Sequence, residues 1–120
     1  MLLVVSSLFT YGLNSLVAIY LEELYFALAS IFLLLTSIVY HSNSSSKTAY
    51  WIDQVAIHVY GLHALYESYF IDVIPFLMAI SEILMCYLLH SFNHNITHVM
   101  IHITSAMTHM FIMGSKVYLK

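Results

Sequence analysis

Three histidines, His94, His98 and His102, recur at four-residue steps in HNITHVMIH, and a fourth, His41, ends the apolar run SIVYHS. Asp53 lies between the two stretches, and Ser37 stands one helical turn before His41. Neutral imidazole nitrogens and a carboxylate are donors that zinc accepts, and a catalytic zinc site keeps its fourth position for water. On a helix of 3.6 residues per turn, each step of four residues turns about 40°, so two consecutive members of the histidine series can clasp one ion. The third is displaced by about 6 Å along the axis and rotated off the line. An N-cap at Asn93 or Asn95 puts His94 at the frayed start of the helix, so the spacing favours His98 and His102, with His94 as the alternative to His102. Ser37 shares a helix face with His41, where its hydroxyl can hydrogen-bond a bound water or a polarised carbonyl.

Such residues can meet only if the elements carrying them end at one level. The chain has 120 residues, 62% of them hydrophobic, with three Lys and no Arg, too few charges to coat a water-soluble globule. A membrane-spanning helix needs about 20 mainly apolar residues, and the sequence offers five such stretches, at about 2–20, 24–41, 49–66, 70–90 and 96–117. Polar breaks separate them: the acidic pair Glu22 and Glu23, the tract SNSSSKT, the turn near Tyr69 to Asp72, and SFNHN. Pro75 is tolerable in the first turn of the fourth helix. The runs are too long, and lack the period-two alternation, for strands of a membrane barrel. The expected fold is therefore all-α, an integral membrane bundle of five transmembrane helices in a single domain, 1–120. The first run lacks the basic flank of a signal peptide and reads as a retained helix.

Five crossings sort the polar residues by membrane face. Face A receives the N-terminus, the 42–48 loop and the 91–95 loop, and with them His41, Asp53, His94 and His98. Face B receives Glu22, Glu23, the turn at 67–70 and the C-terminus. Lys47 lies on A against Lys116 and Lys120 on B, which by one lysine favours B as the cytoplasmic side. Isolated histidines near helix ends are ordinarily interfacial residues wetted by headgroup water, which is the reading for His58, His63, His90 and His109 taken singly. Independent interfacial residues have no reason to gather on one face, so His41, Asp53 and the histidines of the last helix read as one site. Glu82, flanked by apolar residues in MAISEILM, is expected to face the bundle interior, protonated or paired. The methionines lack the spacing of a soft-metal site and read as packing. A net charge of -3 without a basic run excludes a nucleic-acid footprint, and the lone Cys86 excludes an intramolecular disulfide. Two other function classes fit the composition. One is a bis-histidine haem or proton-relay protein, using His58 or His63 with His102 or His109. The other is a non-catalytic structural or pore-forming protein whose histidines line a wet interior, although no filter motif such as TVGYG is present.

In order and spacing, Ser37-x-x-x-His41, Asp53 at the start of the next helix and H-x-x-x-H at the start of the last resemble a known superfamily. It is the membrane hydrolase superfamily of alkaline ceramidases and of progestin and adipoQ receptors (CREST). SIVYHSNSSSKTAYWIDQVAIHVYG is similar to that family's second and third helices, and HNITHVMIHITSAMTHMFIMG to its seventh, together about half the chain. The resemblance implies zinc held by His41 and two of His94, His98 and His102. It also implies Asp53 as the group that orients or deprotonates water, Ser37 as its assistant, and hydrolysis of a ceramide-like lipid amide entering from the bilayer. The family has seven helices where this chain has room for five. The missing pair would fall between the third and the last, and losing an even number keeps the H-x-x-x-H on face A. The cavity walls lost with that pair could be completed by self-association into a homo-oligomer.

Overall fold

A computed structural model describes residues 1–92 and 94–119; the expectations that rest on Asn93 and Lys120 lie outside the described residues. The chain forms five helices: α1 (Leu2–Tyr20), α2 (Leu24–Ser42), α3 (Lys47–Tyr69), α4 (Val73–His90) and α5 (Asn95–Tyr118). Four of them, α1, α2, α4 and α5, are long and apolar enough to cross a membrane. Of the five expected spans, α3 is the one whose composition falls short. It is 23 residues long, ample for a crossing, but Asp53, Gln54, His58, His63 and Glu67 dilute its apolar content.

Side-chain chemistry explains where the helices begin. Ser46 caps α3, accepting from the Ala49 amide at 3.2 Å, so that helix starts two residues earlier than its apolar run. Asp72 caps α4 by accepting from the Val73 amide at 2.6 Å, which leaves Pro75 in the first turn, where its missing N–H costs no helical bond. At α5 the cap is not Asn95, the one expected asparagine among the described residues. Asn95 is the first helical residue, and His94 does the capping, its Nδ1 accepting from the Ile96 amide at 3.2 Å. Between α1 and α2 the chain reverses through Leu21, Glu22 and Glu23, with Glu22 in the left-handed region at φ 58°.

Cross-links fix the alternating directions. Ser7 near the start of α1 meets Ser37 near the end of α2, and Ser6 meets His102 near the start of α5. At the opposite end, Lys116 of α5 reaches Glu23 at the head of α2 and Glu67 at the foot of α3, at 2.8 and 3.0 Å. Helix α1 packs on α2 and α5, α2 also on α3, and α3, α4 and α5 pack on one another. The molecule is 44 Å long, which matches a bilayer of about 40–45 Å with its headgroups.

The burial pattern combines an apolar core around Phe26, Leu33, Ile112 and Met113 with many enclosed polar groups and a largely apolar exterior. Small residues such as Ala18, Ala27, Ala56, Ala64 and Ala106 sit where helices touch and let the backbones approach closely. Buried with them are Ser7, Asn14, Ser30, Ser37, Asp53, His102 and His109, whereas most of the Leu side chains and many Ile and Phe side chains lie exposed on the outside. An outer surface of that composition suits hydrocarbon as solvent. Helix α4 is the least buried of the five, with only Pro75 and Ala79 enclosed. It is fastened by Thr104, which donates to Glu82 Oε1 at 2.7 Å, and by a 3.0 Å bond between His58 Nε2 and the Tyr87 hydroxyl. Cys86 donates to the same Glu82 oxygen at 3.2 Å, so this intramembrane carboxyl is partnered twice.

Candidate metal centre

The antiparallel order of α2 and α5 sets the last turn of one beside the first turns of the other. His41, His98 and His102 come together there, each offering a ring nitrogen, and these nitrogens all lie within 4.8 Å of one another. Their ring centroids are 4.9 Å (His41–His98), 5.4 Å (His41–His102) and 4.9 Å (His98–His102) apart. Three imidazoles holding zinc at about 2.0–2.1 Å in tetrahedral geometry have nitrogens about 3.3 Å apart, a closure that small side-chain rotations provide. The donor set itself fits: His41 Nε2 is buried without any hydrogen-bond partner, a cost that coordination would remove. His94 lies outside this group. It is exposed at the head of α5, with Nδ1 engaged by the Ile96 amide.

Helix α1 supplies a support for which the sequence carries no obvious signal. Ser6 Oγ lies 2.7 Å from His102 Nδ1 and 3.0 Å from the Leu3 carbonyl. A hydroxyl has one proton, and a carbonyl can only accept it, so Ser6 donates to Leu3 and accepts from His102 Nδ1–H. That assignment leaves His102 Nε2 unprotonated, the form a metal ion needs, and fixes the ring's orientation. Ser7 Oγ stands 3.5 Å from the same Nδ1 and 3.0 Å from Ser37 Oγ. Ser37 is therefore joined to His102 through Ser7, and both serine hydroxyls are fully enclosed. A pair of serines interrupting an apolar helix, at the depth of Ser37, was the one available hint.

Asp53 is 1% exposed, and its Oδ1 accepts from Thr36, the residue before Ser37, at 3.1 Å. Its Oδ2 is buried and unpartnered. Among the described residues no hydrogen bond links Asp53 to a histidine; its tie to the centre runs through α2. His90 stands at the rim, its ring 6.1 Å from that of His98.

A cavity of about 210 Å³ opens beside His98 and His102 between α3, α4 and α5. Its wall is mostly apolar, with Tyr11, Glu82 and Tyr60 among the polar groups. The other histidine pairs the sequence allowed are engaged elsewhere: His58 bonds Tyr87, His109 stacks on Tyr60 at 3.4 Å between centroids, and His63 and His109 both pack edge-on against Phe26. The chain matches no protein-family model, no curated protein and no solved structure.

Proposed function

We propose that this chain is a zinc-dependent hydrolase of a membrane lipid amide, a shortened five-helix relative of the alkaline ceramidase and adipoQ receptor superfamily. The observation that carries the reading is the cluster of His41, His98 and His102, of which His98 and His102 line an apolar cavity. In this reading α3 crosses the bilayer with the other four helices, and its Asp53, Tyr60 and Ser68 are buried in the bundle.

A zinc ion there supplies a Lewis acid for a carbonyl and brings the pKa of a water toward neutrality. The chain's own groups do the rest. Ser6 holds the His102 tautomer. Asp53, with Oδ1 held by Thr36, keeps Oδ2 free to take the proton of the attacking water and return it to the leaving amine. The Ser7–Ser37 hydroxyl pair backs the His102 ring from α1 and α2. The cavity between α3, α4 and α5 accepts the lipid's hydrocarbon and keeps bulk water away.

The test is fatty-acid release from a ceramide by the purified, zinc-loaded protein in detergent or nanodiscs. Turnover is expected, and Asp53→Asn should lower it about 100-fold or more while leaving zinc content unchanged. A zinc-loaded parent that releases no fatty acid from a panel of lipid amides would refute the hydrolase reading. A finer expectation concerns the support on α1. Ser6→Ala should weaken zinc binding about 10–100-fold by freeing the His102 ring, as read by competition with a chromophoric chelator. An unchanged affinity would remove Ser6 from the site.

A further inference from the structure

Among the described residues, Glu82 is the one carboxyl in the wall of the cavity between α3, α4 and α5. It stands halfway along α4, so a bundle that crosses the bilayer holds it near the midplane. Both of its hydrogen bonds end on the same oxygen: Thr104 Oγ1 lies 2.7 Å and Cys86 Sγ 3.2 Å from Oε1. Oε2 makes no hydrogen bond, and it is not among the polar atoms sealed from the surface without a partner, so it stays open to the cavity. Nor does a cation within the chain neutralise it. The ion pairs among the described residues join Lys116 to Glu23 and Glu67, and His63 to Glu67.

Fastening α4 to α5 needs only one acceptor, which the amide oxygen of a glutamine would supply without an ionisable group at this depth. The second oxygen of Glu82 is therefore surplus to packing. What surrounds it is mostly apolar, with Leu33, Ile57, Ala64, Ile83 and Ile101 in the same wall. A cavity of about 150 Å³ admits benzene, so the 210 Å³ here has room for a small polar head and roughly seven carbons. Leu62 of α3 and Tyr87 of α4 also belong to the wall and are exposed on the outside of the bundle, which lets a longer chain leave between these helices into lipid. A carboxyl in such a place is matched by a ligand that brings the missing positive charge on a hydrocarbon tail, because carboxylate and ammonium together carry no net charge.

We propose that this cavity is a binding site for a long-chain primary amine, with the amine nitrogen on Glu82 Oε2 and the first part of the chain along the apolar wall. The proton balance closes from either side. A neutral amine takes the proton of a protonated Glu82, or an ammonium ion meets the ionised carboxylate; the complex holds one carboxylate and one ammonium in both cases. Thr104, the neighbour of Glu82, follows His102 by two residues on α5, so the amine site lies within about one helical turn of the depth of the histidine cluster. Hydrolysis of a lipid amide releases an amine of this class, and Glu82 would retain it as product. That role rests on the hydrolase reading, whereas the amine site itself needs neither zinc nor turnover.

The experiment is binding of radiolabelled decylamine to the full chain, purified in detergent and immobilised on scintillant beads, with a zinc chelator in the buffer. Unlabelled decylamine, decanol and decanoic acid serve as competitors. The parent should bind the amine saturably and at least tenfold more tightly than the alcohol or the acid. Glu82→Gln keeps the Oε1 acceptor for Thr104 and Cys86, so it should melt like the parent, yet its preference for amine over alcohol should vanish. No saturable amine binding by the parent, an alcohol that competes as well as the amine, or a Glu82→Gln protein that binds amine like the parent would each overturn the proposal. The alcohol comparison is made on the parent alone and so stands even if the variant misfolds. Because binding is read without zinc or lipid amide, amine binding by a protein that releases no fatty acid would refute the hydrolase and leave this site in place.

Discussion

Replacing His102 by alanine is expected to lower zinc affinity about 100–1,000-fold. Structural zinc sites bind with about 10–16 kcal/mol shared among four ligands, so one ligand is worth roughly 3–4 kcal/mol. His102 should fall in the upper part of that range, because it is the most enclosed of the three histidines and the one whose ring is held by a second helix. Losing it removes both a ligand and the link between the centre and α1. The counterpart is His94→Ala. Although His94 continues the four-residue series, its Nδ1 caps α5, and alanine there should cost about 1 kcal/mol of stability with zinc affinity unchanged. Metal titration of the two variants in detergent separates the roles. Parent-like affinity in His102→Ala, or a large loss in His94→Ala, would reverse the assignment.

The second large effect belongs to the opposite face. Lys116→Met should destabilise the fold by about 3 kcal/mol, measured by thermal or denaturant unfolding in detergent. Lys116 stands between Glu23, which is nearly buried, and Glu67, and it ties three helices at one point. Methionine preserves the stem's packing but leaves two carboxylates facing each other in a partly desolvated place. Breaking a buried ion pair costs about 3–5 kcal/mol, and the side chain's partial exposure keeps the expected value at the lower end. The explanation predicts its own reversal. Adding Glu23→Gln and Glu67→Gln to Lys116→Met removes all three charges and should recover most of the loss. A triple variant as unstable as Lys116→Met alone would show that packing, not charge, sets the effect.

The helices were legible because lipid leaves few options: long apolar runs broken by polar tracts have one economical solution. The expected alternation of helix direction then places His41 level with Asp53, His94 and His98 from the sequence alone. Less legible was whatever depended on single hydrogen bonds. Nothing in a pattern tells a histidine that ligates from one that caps, so His94 and His98 look alike until the Ile96 amide is seen pointing at one of them. Ser6 and Ser7 are weak signals for a similar reason, since a serine in an apolar helix most often bonds its own backbone, as Ser15 does here. The ion cluster was hidden by distance: Glu23, Glu67 and Lys116 are adjacent only after three helices have closed. For α3, the bundle's polar interior explains the shortfall in hydropathy, because a helix that supplies Asp53, Tyr60 and His63 to that interior cannot also read as uniformly apolar.

The light burial of α4 divides the molecule into a frame and a shutter. His41, His98 and His102, the serines behind them, and the Glu23–Lys116–Glu67 cluster at the far end are all carried by the other four helices and their termini. Helix α4 contributes one side of the cavity, held by two polar fastenings and a short connection at each end. Substitutions along its inner face at Ala79, Glu82 and Ile83 can therefore reshape the cavity without disturbing the histidines beside it.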